Sequence, residues 1–521
     1  MHTGNRLAAV DLGSNSFRLE IARVELGQMQ RMEYHKETVR QGGGLDEERR
    51  LSMDAMQRGW NCLARFGERL AAFSPSQVRA VATQTLREAR NRDEFLVTAQ
   101  EVLGFPIDVI SGREEARLIY QGVAHMLPQS DETRLVIDIG GRSTEMIIGQ
   151  GYTARVTESY RVGSVAWSMR YFPEGLFSAR AFEIAEIAAK AVLDDALSAY
   201  SRRNWDTAYG SSGTVGAVAD VLLLAGRAPA EGVVTREGLD WLRDRLIKMR
   251  RADAIRIDGI KEERKAVIGG GLAVLRAVFD LLDIDVMQHS LGALRHGALF
   301  DLMDREHDQT DARVSSIVRM ATKFNVDNAQ STRVSRAATH FLRQLLTDVK
   351  KKQRAEHERE IDWAARLHEI GSRISHDDYH KHGAYILDNA DAPGFSMHEL
   401  HTLSQLVLAH RGKLRKVESR FSDPVFMRQL LSLRLAVILC HARQDAEFEP
   451  IRLSAEAAPE RCFTLTVPAG WPNAWPQSAH LLNEEVLAWE RTPWALRVKV
   501  SSRSGVRQSA GKTKSMSMKT A

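Results

Sequence analysis

Two short glycine- and serine-rich loops carry the first chemistry legible in this chain. Gly13, Ser14, Asn15 and Ser16 form one, and Gly140, Gly141, Arg142, Ser143 and Thr144 form the other. Small residues let backbone N–H groups and hydroxyls close around an anion, a geometry suited to phosphate. Either loop alone is also an ordinary hairpin turn, and neither is a Walker A phosphate loop. Taken together, each with an aspartate two residues ahead (Asp11 and Asp138), they point to a phosphate cleft.

Carboxylates stand beside the second loop. Asp138 ends one strand candidate and Glu145 begins the next, so both can face one pocket. Mg²⁺ takes oxygen ligands, commonly one or two carboxylates with phosphate and water. A turn-stabilising aspartate and a solvent-facing strand glutamate are the alternatives. In SGREEARLIY, Ser111 and Glu114 have the spacing of a capping box, which starts a helix at Gly112 and gives Glu114 a structural task. Glu115 is then left in the first turn, where the helix dipole favours its ionised form. Near a bound phosphate it can deprotonate water; otherwise it is a plain helix acid. Arg87 follows a strand candidate in VATQTLREA, where its guanidinium can meet phosphate or simply face solvent.

These groups need elements to hold them. The run from residue 7 to 11, the first loop, and the run from 17 to 24 read as strand, turn, strand. The same pattern returns at 135–149, and an offset of 127 residues lays Asp11 on Asp138, Gly13 on Gly140, Ser16 on Ser143 and Ile21 on Ile148. A duplicated unit predicts two lobes of like architecture. Helical patterns at 53–73, 93–103 and 179–200 alternate with strand candidates at 78–83 and 107–110, as in α/β layers. Gly210 to Gly213 and Gly269 to Gly271 read as further glycine turns. From 311 to 410 the pattern is mainly helical, and short β runs at 461–467 and 494–500 follow.

The 521 residues suggest three to five domains at roughly 100–200 residues each. With 44% hydrophobic and 27% charged residues the chain can build real cores, which excludes whole-chain disorder. A net charge of +5 is a mild bias toward anionic partners and does not call for nucleic acid. Three scattered cysteines, without CxxC spacing, fit a reducing compartment. No signal pattern and no long apolar run occur, so a cytoplasmic location is expected, with peripheral attachment at the inner membrane face as a variant.

AVDLGSNSFRL, VATQTLREA, VISGREEARLIYQGV, LVIDIGGRSTE, GSSGT and EERKAV, in this order, resemble the exopolyphosphatase/guanosine-pentaphosphate phosphohydrolase family of the actin-like and sugar-kinase superfamily. The resemblance covers nearly the whole chain, including LHEIGSRISHDDYHKHGAYIL. It implies an α/β fold of two duplicated actin-like (ribonuclease-H-like) lobes, then a helical HD-like domain and a small C-terminal α+β domain. The implied divisions are 1–127, 128–306, 307–440 and 441–502, with 503–521 a disordered basic tail. By the same resemblance Glu115 is the catalytic base, and Arg87, on a phosphate-binding segment, is the other catalytic residue. Asp138 and Glu145 are metal-linked acids for Mg²⁺. Residues 13–16, Arg18, 140–144, Ser212 and Gly213 bind substrate, and a homodimer is expected. The family's third loop glycine is Arg142 here, which would be strained if that position needs positive φ, or could add a phosphate contact.

In the helical region a working HD site needs His-Asp, and this chain has His368-Glu369. His376, His380 and His382 can be metal ligands or ordinary helix histidines. Arg411, Lys413, Arg415 and Lys416 make a basic cluster, either a solvated face or a track for a long polyanion. The expected activity is terminal hydrolysis of inorganic polyphosphate, favoured by the extra C-terminal region. The alternative is removal of the 5′-terminal phosphate of guanosine pentaphosphate. A sugar kinase would need a sugar-binding segment, and a non-catalytic sensor would have lost the acids.

Overall fold

The structure is a computed structural model that describes residues 6–25, 28–305, 309–445, 447–456 and 461–501. The expected basic tail at 503–521 lies outside them. The chain divides into two compact units, Met1–Ser316 with Asp391–His398, and Ile317–Ala390 with Glu399–Ala521.

The first unit holds two sheets. Strands β1 (Arg6–Leu12), β2 (Phe17–Glu25), β3 (Gln28–Glu37), β4 (Val78–Ala82) and β5 (Ile107–Val109) form one, in the order β3-β2-β1-β4-β5. The other contains β6 (Thr133–Ile139), β7 (Thr144–Gln150), β8 (Thr153–Tyr160), β9 (Thr207–Ser211), β10 (Val233–Thr235) and β11 (Val286–His289), in the order β10-β11-β9-β6-β7-β8. The duplication reaches the hydrogen-bond register. Antiparallel pairing sets Asp11 opposite Arg18 and Leu12 opposite Phe17; 127 residues later it sets Asp138 opposite Glu145 and Ile139 opposite Thr144. In each sheet the first strand then runs parallel to a later one, β1 with β4 and β6 with β9. The two sheets are thus two lobes of like architecture, as the duplication and the resemblance imply.

Both central strands are buried, which is why they read as near-continuous apolar runs. Helix α1 (Met53–Leu70) shows how the flanking layer forms. Ser52 Oγ caps it by accepting from Ala55 N–H at 3.3 Å, and Met56, Leu63, Phe66 and Leu70, at helical spacing, bury one face against the first sheet. Each such large side chain contributes about 1.5–3 kcal/mol by leaving water.

The glycines 269–271 are not a turn. They lie in helix α3 (Ile268–Leu281), where a Cβ on Gly270 would stand 2.4 Å from the backbone nitrogen of Ser168. Close helix packing, not turn geometry, requires them. The helical patterns at 53–73 and 179–200 end earlier than expected, at Leu70 and Leu193, the second giving way to a short 3₁₀ turn.

The second unit has helices Asn328–Leu345, Lys351–Leu367, Tyr379–Asp388 and Pro424–Leu439, and a three-stranded sheet of β12 (Arg452–Ala455), β13 (Cys462–Val467) and β14 (Ala495–Val500). Inside it, Arg434 pairs with buried Glu485 at 2.5 Å, and Phe463 packs edge-on against Trp489. Cys62, Cys440 and Cys462 are buried, and none of them is in a disulfide. Among the described residues no helix is long and apolar enough to cross a membrane.

Candidate active site

Each loop leaves the end of a central strand, and the two loops face each other. A Cβ on Gly141 would lie 3.0 Å from Ser14 Cβ and 3.5 Å from the backbone nitrogen of Asn15. The first loop is pinned by Gly42 N–H donating to Ser14 C=O at 2.7 Å and Arg40 N–H to Asn15 C=O at 2.9 Å. Thr85 Oγ1 donates to Ser14 Oγ at 2.8 Å. In the second loop Gly140 N–H closes onto Ser143 C=O at 2.9 Å. Between them runs a cleft of about 280 Å³, lined by residues 13–16, Gly140, Gly141, Ser143, Ser212 and Gly213, with Asp11, Arg18, Glu115 and Asp138.

Glu115 enters from helix α2 (Gly112–Met126), which Ser111 caps by accepting from Glu114 N–H at 3.2 Å. Arg87 Nη1 donates to Glu115 Oε2 at 2.8 Å and to Ile110 C=O at 2.9 Å, while Gln84 Oε1 takes its Nε and Nη2. The guanidinium is thus fixed from several sides with one edge on the carboxylate. Asp138 and Glu145, opposite each other across β6 and β7, share one face of the sheet, and Glu145 Oε1 accepts from Ser159 Oγ at 2.8 Å.

Burial and mutual repulsion raise the proton affinity of three acids here, Glu115, Asp138 and Glu145. Burial pushes Glu115 up to about 7; Arg87 opposes this, while Asp138 and Asp11 add to it. Burial likewise takes Asp138 to about 6, against a hydrogen bond from Ser211 and the charge of Arg18. Glu145 is held well above the carboxylate range, by burial first and then by Glu115 and Asp138. The helix dipole, expected to keep Glu115 ionised, is outweighed by loss of solvent. Carboxyls displaced this far are candidates for proton transfer or cation binding. Among the described residues no three carboxylate, His or Cys groups converge tightly enough to hold a metal unaided. A cation here would need phosphate oxygens and water to complete its shell, which is how Mg²⁺ is commonly bound.

Several sequence-chosen residues stand elsewhere. Arg142 does not line the cleft: its guanidinium pairs with Glu88 at 3.1 Å and donates to Gly42 C=O at 3.0 Å. Its φ is not positive, so replacing glycine brings no left-handed strain. Thr144 is fully buried and its hydroxyl donates to Val162 C=O at 2.6 Å. Ser212 does adopt φ +83, at the first position of helix Ser212–Leu224. Arg411, Lys413, Arg415 and Lys416 belong to the second unit. Arg411 lies over the Tyr379 ring at 4.9 Å, Lys416 contacts His380, and Lys413 and Arg415 are exposed. His368 and His410 are buried, their Nδ1–H groups donating to the carbonyls of Ala365 and Val407, an ordinary helix arrangement.

Further residues line the cleft beyond those chosen from the sequence. Tyr34 and Lys36 from β3, Arg264, and Arg295 at the start of helix α4 (Leu294–Asp304) all line the cleft with Arg18. Burial, then Arg264 and Arg18, lowers the Lys36 ammonium. Arg295 is held by Glu20 at 2.6 Å and lies over the Tyr34 ring at 5.0 Å. Two signals point to them in the sequence: Arg264 lies within EERKAV, and a strand period of two sets Tyr34 and Lys36 on one face. The cleft therefore has an acidic part around Glu115 and Asp138, and a cationic part built by Lys36, Arg264 and Arg295.

Residues 20–306 match the Ppx/GppA phosphatase family and residues 312–489 match its domain III. The chain belongs to the Ppx/GppA phosphatase family. Its members hydrolyse phosphoanhydride bonds, and this chain is such a hydrolase. The guanosine-5'-triphosphate,3'-diphosphate pyrophosphatase of Photobacterium profundum is 36% identical over 94% of this chain and 97% of its own length. The protein of the same name from Vibrio cholerae is 38% identical, over 89% and 92%. A crystal structure of an exopolyphosphatase from Cytophaga hutchinsonii, 23% identical, superposes with a TM-score of 0.52 over 58% of this chain and 98% of that one, a likeness of fold. An exopolyphosphatase-like protein at 26% identity gives the same TM-score over 58% of this chain and all of its own.

The extra C-terminal region, read from sequence alone, favours polyphosphate. Relatives named for the guanosine compound span almost the whole chain, so length does not separate the two substrates.

Proposed function

We propose that this Ppx/GppA phosphatase removes the terminal 5′-phosphate of guanosine-5'-triphosphate,3'-diphosphate, releasing orthophosphate. The observation that carries the chemistry is Glu115, fixed by Arg87 at 2.8 Å, opening into the cleft that both glycine loops line. The substrate assignment is supported by full-length similarity to relatives that carry this name.

The loop amides and the hydroxyls of Ser14 and Ser16 would receive the terminal phosphoryl group. Glu115 would orient a water and take its proton as the water oxygen bonds to phosphorus. Arg87 keeps enough ionised Glu115 available near neutral pH. Arg18, Lys36, Arg264 and Arg295 would hold the remaining phosphates, so that binding energy far from the reacting atom positions it. Asp138 and Glu145 would hold Mg²⁺ together with phosphate oxygens; the ion would offset negative charge on the transferred group.

The second reading is terminal hydrolysis of inorganic polyphosphate. It is supported by the cleft's cations, which recognise phosphate without reference to a base, and by the likeness to the exopolyphosphatase-like protein. In this reading residues 411–416 would bind the distal chain. Orthophosphate release, measured side by side on guanosine pentaphosphate and on long-chain polyphosphate, tests both readings. The proposal expects higher kcat/KM on the guanosine compound. Higher kcat/KM on polyphosphate would reverse the assignment.

A further inference from the structure

Glu114, next to the candidate base, has no part in the chemistry above, yet it is 1% exposed and fully engaged. Its carboxylate accepts from Arg117 Nε and Nη2, each at 2.8 Å, and from the backbone N–H of Gly394 at 2.8 Å. Gly394 lies 280 positions along the chain, in the segment Asp391–His398 that belongs to the first compact unit. The expected capping box is therefore only half formed. Ser111 caps the helix, but the Glu114 side chain turns to a distant segment.

That segment touches the beginning of α2 at three points. Gly394 donates to Glu114. Ser396 forms an antiparallel bridge with Ile110, the residue before the helix cap. Asp391 stands 3.6 Å from Arg113. The Ile110 carbonyl also accepts from the same Arg87 nitrogen that holds Glu115. The segment thus reaches the base by two routes, through the first turn of α2 and through the Ile110–Arg87 contact.

Its own placement is tightly specified. Gly394 has φ +88, and a Cβ there would lie 2.7 Å from the backbone nitrogen of Arg313 and 3.0 Å from the carbonyl carbon of Ala312. Ser316 Oγ donates to Pro393 C=O at 2.7 Å, and Arg305 donates to Gly394 C=O. Arg305 and Arg117 meet on Asp301, at 2.8 and 2.5 Å. A buried ionic network this well satisfied rigidifies what it joins.

We infer that residues 391–398 act as a strap that fixes the register of α2, with Glu114 as the positioning residue for Glu115. The activity readout rests on the hydrolase reading above. A misplacement near 1 Å at a reacting group costs about 100-fold in rate, so small strap movements should appear in turnover before they appear in binding.

The test is Gly394→Ala in the full-length protein, a change that touches no cleft residue. Three quantities are measured: kcat and KM for orthophosphate release from guanosine pentaphosphate, amide hydrogen exchange across residues 110–118, and thermal unfolding. The strap predicts a fall in kcat of about 10- to 100-fold. It also predicts KM changed less than about twofold, faster exchange at 110–118, and one cooperative unfolding transition. Unchanged exchange there, or kcat and KM moving together, would overturn it. If Gly394→Ala does not fold, Glu114→Gln carries the same readouts, with a smaller fall in kcat expected because the amide still accepts from Gly394. A wild-type protein that released no phosphate would sink the hydrolase reading; the exchange measurement would still decide the strap.

Discussion

Arg87 Nη1 lies 2.8 Å from Glu115 Oε2, with only 12% and 9% of the two side chains exposed. Burial drives this carboxyl toward its neutral form and the guanidinium drives it back, leaving it near 7. Glu115→Gln, close to isosteric, should leave the fold intact and reduce kcat by about 10²–10⁴-fold, the scale of a lost general base. Arg87→Met removes the group that favours ionisation. The acidic limb of its kcat–pH profile should move to higher pH. A limb that stays in place would show that Arg87 does not set the base.

The acids also predict a stability profile for the metal-free protein. A carboxyl whose folded pKa exceeds its unfolded value binds its proton more tightly when folded, so stability falls as pH rises between the two. For Glu115 that interval runs from 4.5 to about 7, and for Asp138 from 3.8 to about 6. Asp301 acts in the opposite sense. Burial disfavours its charge, but Arg305, Arg117 and Arg79 outweigh burial and hold it below the carboxylate range, so its contribution is lost only under acid conditions. The melting temperature should therefore decline from about pH 5 to pH 7. Glu145→Gln should flatten the decline and melt higher than wild type at pH 8. Added Mg²⁺ should raise the wild-type melting temperature at pH 8 more than that of Glu145→Gln. Scanning calorimetry across pH, with and without the ion, measures all three.

Asp301 sits in a buried ionic network, with Arg117 and Arg305 bonded to it and Arg79 at 3.8 Å. Asp301→Asn would remove a carboxylate charge shared by Arg117, Arg305 and Arg79, but Arg117 keeps Glu114 and Arg79 keeps Asp108, so the cost should stay below the about 3–5 kcal/mol of a buried pair broken outright. Urea unfolding should show this as a lower midpoint with an unchanged slope.

If residues 411–416 bind the far part of a long polyanion, each cationic side chain removed by mutation means fewer counterions released on binding and a weaker salt dependence. Replacing Arg411, Lys413, Arg415 and Lys416 by Ala should weaken long-chain polyphosphate binding and flatten its salt dependence, with little change on very short chains. Equal proportional losses on both would leave the cluster as a solvated face.

What the sequence revealed of this site, and what it hid, follows the physics of each part. The loops and their acids were legible because a strand–turn–strand unit is local, and its duplication carried Asp11 and Asp138 into matching registers. The cationic side of the cleft was not, since Lys36, Arg264 and Arg295 come from three distant elements and converge only after folding. Gly269 to Gly271 misled for a similar reason: composition signals a turn, while the helix needs glycine there for close packing, Gly269 against Phe177 and Gly270 against Ser164 and Ser168. The Ser111 cap was visible, but no local spacing could show that Glu114 would pair with Arg117 and a backbone amide 280 residues away.

The central claim is hydrolysis of the terminal 5′-phosphate of guanosine pentaphosphate at the Glu115 cleft. The most direct measurement is orthophosphate release from that compound by wild type and by Glu115→Gln, in the presence of Mg²⁺, with the nucleotide product identified. The account predicts one orthophosphate and one guanosine tetraphosphate per turnover from wild type, and a loss of about 10²–10⁴-fold in the variant. Release of pyrophosphate, or equal rates in the two proteins, would contradict it.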